Sequence, residues 1–247
     1  MISTRKLRII LALFVVVIAV AACGPVGRRV IDGSGDVVEE TIEVDSFSGV
    51  NLATIGSLFI SLGDEEELLV EAEENLIPQF QAEVEEGILI IDTESNVSLR
   101  PTAPVNFYLT VTEIDSASLT GSGNIDLPDI DVEQFSATIS GSGNIEMGEI
   151  SGTMLEIQIP GSGDLRIAGG SVEEQTVTIS GSGIYEARSL MSEQADVSIA
   201  GSGSTTLHVT EELAVNITGS GTVRYRGTPS LDRMTISGSG SVEQIEQ

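Results

Sequence analysis

The sequence is poor in the residues that most often carry covalent and catalytic chemistry. Its 247 residues include one cysteine, one histidine and no tryptophan, and its only lysine is Lys6. A single cysteine excludes an intramolecular disulfide, so stability must come from packing. The one histidine, His208, stands in no recognisable nucleophile motif, which argues against a Ser-His-Asp triad. These scarcities predict that the protein is not an enzyme.

Basic side chains are also scarce. Residues 23–247 contain 38 acidic side chains and eight arginines, which gives this part of the chain a formal charge of −30. Such a surface repels nucleic acid and anionic lipid, so neither is expected as a partner. It predicts weak, non-specific binding of calcium or magnesium, but no metal site and no cofactor can be located. The simpler interpretation of the charge is solubility, or adaptation to a salty or acidic medium.

Against these absences, one motif recurs. The stretch LTGSGNIDL at residues 119–127 returns six times in related form, at intervals of 20, 20, 20, 20, 18 and 19 residues. So regular a period indicates a repeat array, and about twenty residues fit one coil of a solenoid rather than a propeller blade of roughly 40 residues. Each unit turns at a Gly-Ser-Gly corner. The corner glycines are Gly121, Gly123, Gly141, Gly143, Gly161, Gly163, Gly181, Gly183, Gly201, Gly203, Gly219, Gly221, Gly238 and Gly240.

Apolar residues alternate with polar ones on both sides of each corner, which is the pattern of strands with one buried face. Stacked coils would place equivalent residues above one another in a buried ladder, formed by Leu119, Ile139, Ile159, Ile179, Ile199, Ile217 and Ile236. The predicted fold is an all-β, right-handed parallel β-helix with coils of about 20 residues. Glycine suits the corners because stacked corners leave little room and because it adopts positive φ. A calcium-binding nonapeptide β-roll does not fit this spacing, and only Asp164 supplies a carboxylate just after a corner.

The chain divides into four predicted segments. Residues 1–22 combine a basic start with an apolar run that ends directly before Cys23, which resembles a bacterial lipoprotein signal peptide with Cys23 as the lipidated residue. Residues 23–36 are interpreted as a tether. Residues 37–112 form a divergent N-terminal part of the solenoid that caps its end, and residues 113–247 form the Gly-Ser-Gly repeats. The lipid would hold the protein on the extracytoplasmic side of a bacterial membrane.

The divergent part has its own strand pattern. Alternation predicts strands at residues 40–44, 58–62, 68–73, 88–92 and 106–112, and a short helical turn within residues 74–80. Glu85, Glu86 and Gly87 lie between two apolar runs and are typical of a hairpin turn. A further Gly-Ser-Gly at residues 33–35 lies out of register with the repeats, and is treated as linker or as the edge of the first coil.

A small basic patch is the candidate ligand site. Arg188, His208 and Arg226 occupy the position seven residues after the first corner glycine in three successive coils, and Arg224 lies at the position five after. If the register holds, these side chains share one outer face and could bind an anionic sugar or phosphate. The alternative is charge compensation along the sheet, because Arg166 falls between Glu146 and Glu186 in the same way.

The GSGN-I corners, together with the segments FSGVNLATIGSLFISLGDEEELLVEAEENLIP and EEGILII, resemble the "putative auto-transporter adhesin, head GIN domain" family over roughly residues 37–242. The resemblance implies a β-helical, surface-associated bacterial protein and transfers no catalytic residue. Asn or Asp would be expected in that pattern at Ile184, Ser204, Thr222 and Ser241, so any role of an Asn ladder is confined to Asn124, Asn144 and Asp164.

Three functions remain open at this point. The favoured one is a lipid-anchored binding or adhesion module in the cell envelope, whose partner is an envelope protein or a glycan. The second is a structural envelope protein without a discrete ligand. The third is a glycan-active β-helix enzyme, which would need a carboxylate pair in a groove and aromatic platforms. The oligomeric state is left open.

Overall fold

The computed structural model describes residues 28–246, and within them the predicted parallel β-helix is confirmed. The predicted signal peptide, residues 1–22, and Cys23 lie outside the described residues. No helix in the described part of the chain is long and apolar enough to cross a membrane. The N-terminal half contains β1 Arg29–Asp32, β2 Val37–Ile42, β3 Gly49–Leu52, β4 Ser57–Leu62, β5 Glu67–Glu73, a 3₁₀ turn Ile77–Gln79, β6 Phe80–Glu85, β7 Ile88–Thr93, β8 Val97–Arg100 and β9 Asn106–Val111.

The repeats form longer strands that continue round the coil. They are β10 Ser116–Leu119, β11 Asn124–Leu127, β12 Ile130–Asp131, β13 Gln134–Ile139, β14 Asn144–Ile159, β15 Asp164–Ile179, β16 Ile184–Gly201, β17 Ser204–Gly219, β18 Thr222–Arg226, β19 Ser230–Gly238 and β20 Ser241–Gln244. Three faces result. We call face 1 the strands before each Gly-Ser-Gly corner, face 2 the strands after it, and face 3 the segments that return the chain to face 1.

Equivalent residues pair in parallel from coil to coil, as the period predicts. Ile159 pairs with Ile179, Ile179 with Ile199, and Ile199 with Ile217. Leu119 and the isoleucines that follow it are buried as far as Ile217, with at most 2% of each side chain exposed. The ladder ends there, because Ile236 pairs with Ile217 but is 41% exposed on the last coil. Its predicted burial is wrong, since no coil within residues 28–246 covers that side of it.

The corners depend on close contact between main chains. A Cβ added to Gly143 would overlap the carbonyl oxygen of Gly123 in the coil below, and Gly163 meets Gly143 in the same way. Of the fourteen predicted corner glycines, only Gly201, Gly219 and Gly238 have positive φ. Lack of room is therefore the main reason for glycine at the corners, and positive φ is required only towards the C-terminal end.

The N-terminal half caps the solenoid, but its coils are not stacked in chain order. On face 1, β3 lies between β7 and β10, and on face 2, β4 lies between β9 and β11. The coil that contains β7 and β9 is thus the outer one, although it follows β3 and β4 in sequence. The interpretation of this half as a capping region is confirmed, and the sequential stacking expected of a simple solenoid is not found.

Antiparallel strands finish the cap. β6 pairs with β7 through a turn in which Glu86 and Gly87 have φ of 51° and 81°, so the predicted hairpin is present. β5 pairs antiparallel with β9, and β2 pairs antiparallel with β5. The helical turn expected within residues 74–80 is the 3₁₀ turn Ile77–Gln79. These strands cover the end of the solenoid, where core and strand edges would otherwise be exposed.

The tether predicted for residues 23–36 is wrong over β1, which forms a two-stranded parallel sheet with β8. β8 lies in the long connection between β7 and β9, where the repeats have only Gly-Ser-Gly. The following Gly-Ser-Gly, residues 33–35, is held by the buried carboxylate of Glu73, which accepts the amide hydrogen of Gly35 at 2.6 Å. The Asn75 side chain accepts the amide of Ser34 and donates to the carbonyl of Asp32. The chain therefore enters the fold as a fixed strand at the cap.

Candidate ligand-binding face

The outer surface of face 2 carries a row of side chains whose character changes along the solenoid. In the cap, Tyr108 pairs with Phe59, and Phe59 pairs with Asp126 of the first repeat. The row continues through paired residues that are mostly charged: Glu146, Arg166, Glu186, Thr206, Arg224 and Glu243. Paired strands lie about 4.8 Å apart. We call the aromatic end of this row, Tyr108 and Phe59, the aromatic platform.

The aromatic platform is a stacked pair of rings that is open to solvent. The rings of Phe59 and Tyr108 are stacked, with centroids 5.5 Å apart and an interplanar angle of 20°. Each residue is 39% exposed, although most large apolar side chains of the protein are buried. A neighbouring groove of about 280 Å³ is lined by Phe59 and by polar side chains of the first two repeats, Asn124, Asp126, Asn144 and Glu146. Exposed aromatic rings beside amides and carboxylates can contact both the apolar and the hydroxyl-bearing parts of a sugar.

The cap holds Tyr108 in place. Its hydroxyl donates to Glu71 Oε2 at 2.9 Å, and the side-chain amide of Asn106 donates to the same oxygen at 2.8 Å. Hydrogen bonds from Asn106 and Tyr108 lower the pKa of Glu71, and the bond to Glu71 raises the pKa of Tyr108. Glu71 is therefore ionised and Tyr108 is neutral at neutral pH. The carboxylate fixes the orientation of one ring of the platform before any ligand arrives.

The short Asn ladder beside the groove has a structural role. Asn124 Oδ1 accepts the backbone N–H of Asn144 at 3.2 Å, and Asn144 Oδ1 accepts that of Asp164 at 3.3 Å. Asp164 Oδ1 accepts the N–H of Ile184, where the ladder ends. These side chains fasten the start of each face 2 strand to the coil below. The amide group of Asn144 also donates to Asn124 Oδ1, so the ladder is ordered along the edge of the groove.

The predicted basic patch is only partly assembled. His208 and Arg226 pair directly in adjacent strands, as expected. Arg188 does not join them, because Ala187 pairs with Leu207 while His208 pairs with Met191. Residues 188–190 have no counterparts in the next coil, so the predicted register is wrong at Arg188. That guanidinium instead contacts Glu186 at 3.2 Å.

The other members of the patch are engaged or enclosed. Arg224 contacts Glu243 at 3.7 Å, which is the charge compensation considered as the alternative. Thr206, which pairs with Arg224, is buried with 4% of its surface exposed. The Nε atom of Arg226 is buried and has no hydrogen-bond partner in the described structure. Arg166 contacts Glu146 at 3.9 Å and Asp164 at 3.5 Å, so the ion ladder extends along the repeats.

The aromatic platform is not among the sites predicted from the sequence. Phe59 and Tyr108 are 49 residues apart and belong to different coils of the cap, and neither lies in a Gly-Ser-Gly repeat. The available signal was that both fall at polar-facing positions of alternating strands, where a large aromatic residue is unusual.

In the described residues no group of three or more His, Cys, Asp or Glu side chains is arranged to hold a metal ion.

Comparison with known proteins identifies the family of this chain. Residues 46–229 match the model of a family described as "putative auto-transporter adhesin, head GIN domain". The chain belongs to this family. Membership indicates a protein of the cell surface or envelope and accounts for the resemblance noted in the repeats. Comparison with curated proteins finds no match.

Several solved structures share the fold. A protein from Bacteroides fragilis described as a putative adhesin has a TM-score of 0.82 at 20% identity, covering 87% of this chain and all of that one. A putative lipid binding protein from Parabacteroides distasonis has a TM-score of 0.71 at 25% identity, and a putative adhesin from Parabacteroides merdae has 0.70 at 19%. Both alignments cover 88% of this chain and all of the other. The family and these structures are described as putative adhesins or, in one case, as a putative lipid binding protein.

Proposed function

We propose that this GIN-domain protein is a lipid-anchored binding module of the cell envelope that recognises a glycan through the aromatic platform. The observation that carries the proposal is the stacked pair of Phe59 and Tyr108, 5.5 Å apart and open to solvent beside a polar groove. Aromatic rings bind sugars through their apolar faces, and the surrounding amides and carboxylates can hydrogen-bond to hydroxyl groups.

Preorganisation supports this assignment. Binding is more favourable when the site does not have to become ordered on contact. Tyr108 is fixed by Glu71, and both rings lie on paired strands of the solenoid rather than on loops. The predicted basic patch is a weaker candidate, because Arg188 lies out of register and Arg224 is paired with Glu243.

The anchor gives the proposed module an orientation. Six peptide units separate Cys23 from Arg29, which begins β1, and a chain of that length spans at most about 20 Å. A lipid on Cys23 would therefore keep the cap close to the membrane, and the repeats would extend away from it. The aromatic platform would lie on the side of the solenoid near its base. Replacing Cys23 with Ser should release the protein from the membrane fraction, and retention of the variant would contradict the anchor.

The binding proposal can be tested with the soluble chain from residue 24 onward on an array of bacterial and host glycans. The double variant Phe59→Ala/Tyr108→Ala should lose at least about tenfold in affinity for any glycan bound, because stacking on an aromatic ring contributes on the order of 1 kcal/mol per ring. Ile184→Ala is the matched control, since Ile184 is 38% exposed on the same face and far from the platform. It should bind as the parent does.

Other results would redirect the assignment. Binding that survives the double variant but is lost when Arg188, His208 and Arg226 are replaced together would move the site to the basic patch. An array without any saturable signal would contradict glycan recognition and favour a structural envelope protein. Release of shortened sugars from a bound glycan would contradict a pure binding role, because it would demonstrate hydrolysis.

A further inference from the structure

We infer that the groove beside the aromatic platform selects sugars that carry a free ammonium group, that is, amino sugars that are not acetylated. The inference rests on the proposed glycan-binding function and adds the chemical class of the ligand. It is based on the charged side chains that line the groove beside the platform, Asp126 and Glu146, which are both acidic.

Two carboxylates continue the row directly from Phe59. Asp126 pairs with Phe59 and Glu146 pairs with Asp126, so one carboxylate lies one strand spacing from the ring and the second lies two spacings away. Asp126 is exposed and has no ion-pair partner within 4.0 Å among residues 28–246. Glu146 Oε1 lies 3.9 Å from Arg166 Nη1, and 65% of the Glu146 side chain is exposed. Asp126 is therefore the carboxylate available to a ligand, and Glu146, which is paired with Arg166, lines the groove beside it.

The aromatic platform adds a second attraction for a cation. An ammonium group within about 6 Å of an aromatic ring is attracted to its negative face. Tyr108 donates its hydroxyl hydrogen to ionised Glu71, which leaves more electron density on that ring. A pyranose lying on the platform could direct an amino substituent towards Asp126 while its ring carbons remain on Phe59. The same site repels uronic and sialic acids, because the carboxylates Glu71, Asp126 and Glu146 surround it.

Selectivity, rather than affinity alone, distinguishes this site from the general acidity of the protein. A formal charge of −30 on residues 23–247 attracts any polycation to the whole surface, and salt screens that attraction. A specific site instead requires Phe59 and Asp126 together. The preference for amino sugars should therefore be lost when either side chain is removed, whereas removal of a distant carboxylate should have little effect.

The test compares three hexasaccharide probes by calorimetry with the soluble chain in 150 mM salt: glucosamine, N-acetylglucosamine and galacturonic acid oligomers. We expect glucosamine hexamer to bind tightest, N-acetylglucosamine hexamer to bind about tenfold more weakly, and galacturonic acid hexamer not to bind. Asp126→Asn should reduce the preference for the amino sugar about threefold to tenfold, because the affinity for the free amino probe should fall by more than the affinity for the acetylated probe.

Asp196→Asn is the matched control, because Asp196 is an exposed carboxylate on face 1, away from the groove. Equal effects of Asp126→Asn and Asp196→Asn would overturn the inference, since they would show bulk attraction only. Equal binding of the acetylated and free amino probes, abolished by Phe59→Ala, would also overturn it while leaving the proposed glycan-binding function intact. Failure of all three probes, together with an array that gives no signal, would contradict the proposed function itself.

Discussion

The cap and the repeats both bury an apolar core between stacked coils, but different contacts hold their coils together. In the repeats, β14 to β17 are strands of 16 to 18 residues that run round the coil, and neighbouring coils meet through main-chain contact at glycine corners. In the cap, most strands have four to seven residues, coils stack out of chain order, and side chains such as Glu73 and Asn75 hold segments together. The fold of the repeats is thus specified by a local sequence pattern, whereas the fold of the cap is specified by individual contacts between residues far apart in sequence.

The aromatic residues follow the same division. Residues 37–112 hold Phe47, Phe59, Phe80, Phe107 and Tyr108, whereas the repeats hold only Phe135, Tyr185 and Tyr225, all of them buried. Phe80 and Phe107 pack edge to face at 5.2 Å inside the cap. The candidate ligand site lies at the junction, where the cap contributes exposed rings and the first repeats contribute carboxylates. Neither half contains the complete site.

The largest effect is expected from breaking a corner in the repeats. Gly143→Ala places a methyl group on the carbonyl oxygen of Gly123, and neither main chain can move without disturbing its own coil. We expect it to lower the free energy of unfolding by about 3 kcal/mol, at the upper end for an overpacked site. Urea unfolding followed by circular dichroism measures this change.

Gly169→Ala is the control for that variant. Gly169 lies within β15 in the same part of the solenoid, and the nearest atom to its added Cβ is the carbonyl oxygen of Ser189 at 3.6 Å, an ordinary contact. It should change the free energy of unfolding by less than about 0.5 kcal/mol. Equal destabilisation by the two variants would mean that loss of glycine, rather than corner contact, matters.

A smaller effect tests a buried polar cluster in the repeats, formed by Tyr185, Gln175 and Ser192. The hydroxyl of Tyr185, which is fully buried, donates to Gln175 Oε1 at 3.1 Å, and Gln175 donates to Ser192 Oγ at 2.6 Å. Tyr185→Phe should cost about 1–2 kcal/mol of stability, because it leaves a buried amide oxygen without a donor. The measurement is the same urea transition.

The double variant Tyr185→Phe/Gln175→Leu should recover most of that loss. Gln175 pairs with Leu155 and Ala195 in the neighbouring coils, so an apolar residue fits the position. Ser192 keeps its other hydrogen bond, to the carbonyl oxygen of His208. A double variant as unstable as the single one would show that the loss comes from packing rather than from the unpaired oxygen.

The sequence predicts the repeats far better than the cap for a physical reason. A period of about 20 residues with alternating apolar positions fixes coil length, ladder and corner together, and the pairing of Ile159, Ile179 and Ile199 follows from it. The period predicts the corners less completely, because it does not separate lack of room from positive φ. The inner cap coil turns through Ala53, Thr54, Ile55 and Gly56 instead of Gly-Ser-Gly, so no local signal places β3 between β7 and β10.

The candidate site was harder to predict for a related reason. The interval of 18 residues between Gly201 and Gly219 shows that one coil is shorter, but not where it is shortened. The structure shows that three residues are lost just after Leu207, where face 2 turns into face 3, and that one is regained after Val209; the loss removes Arg188 from the basic patch. The aromatic platform likewise depends on the order of cap coils, which a repeat pattern does not contain.

The smallest effect concerns the local contact that fastens the N-terminal segment to the cap. Glu73 is buried and accepts hydrogen bonds from the Thr102 hydroxyl at 2.6 Å, the Thr102 amide at 2.8 Å and the Gly35 amide at 2.6 Å. These bonds, that of the Thr102 hydroxyl foremost, lower the pKa of Glu73 below its ordinary value of 4.5. A carboxyl group whose pKa is lowered by folding stabilises the folded state above its unfolded pKa, and this contribution disappears as the pH falls through the folded value. We therefore expect the Gly35 amide to lose protection from hydrogen exchange as the pH falls below 4.5, after correction for the intrinsic rate.

The amide of Ile179, deep in β15, is the internal reference for that experiment, because no titrating group holds it. In Glu73→Gln the Gly35 amide should exchange readily at every pH, since an amide group cannot replace all the contacts of the carboxylate with N–H and O–H donors. Loss of protection at Gly35 while Ile179 stays protected would mean that the cap opens locally through its side-chain contacts. Simultaneous loss at both amides would contradict the distinction between the halves, because it would show that Glu73 supports the whole solenoid and that the repeats are not stable without the segment it fastens.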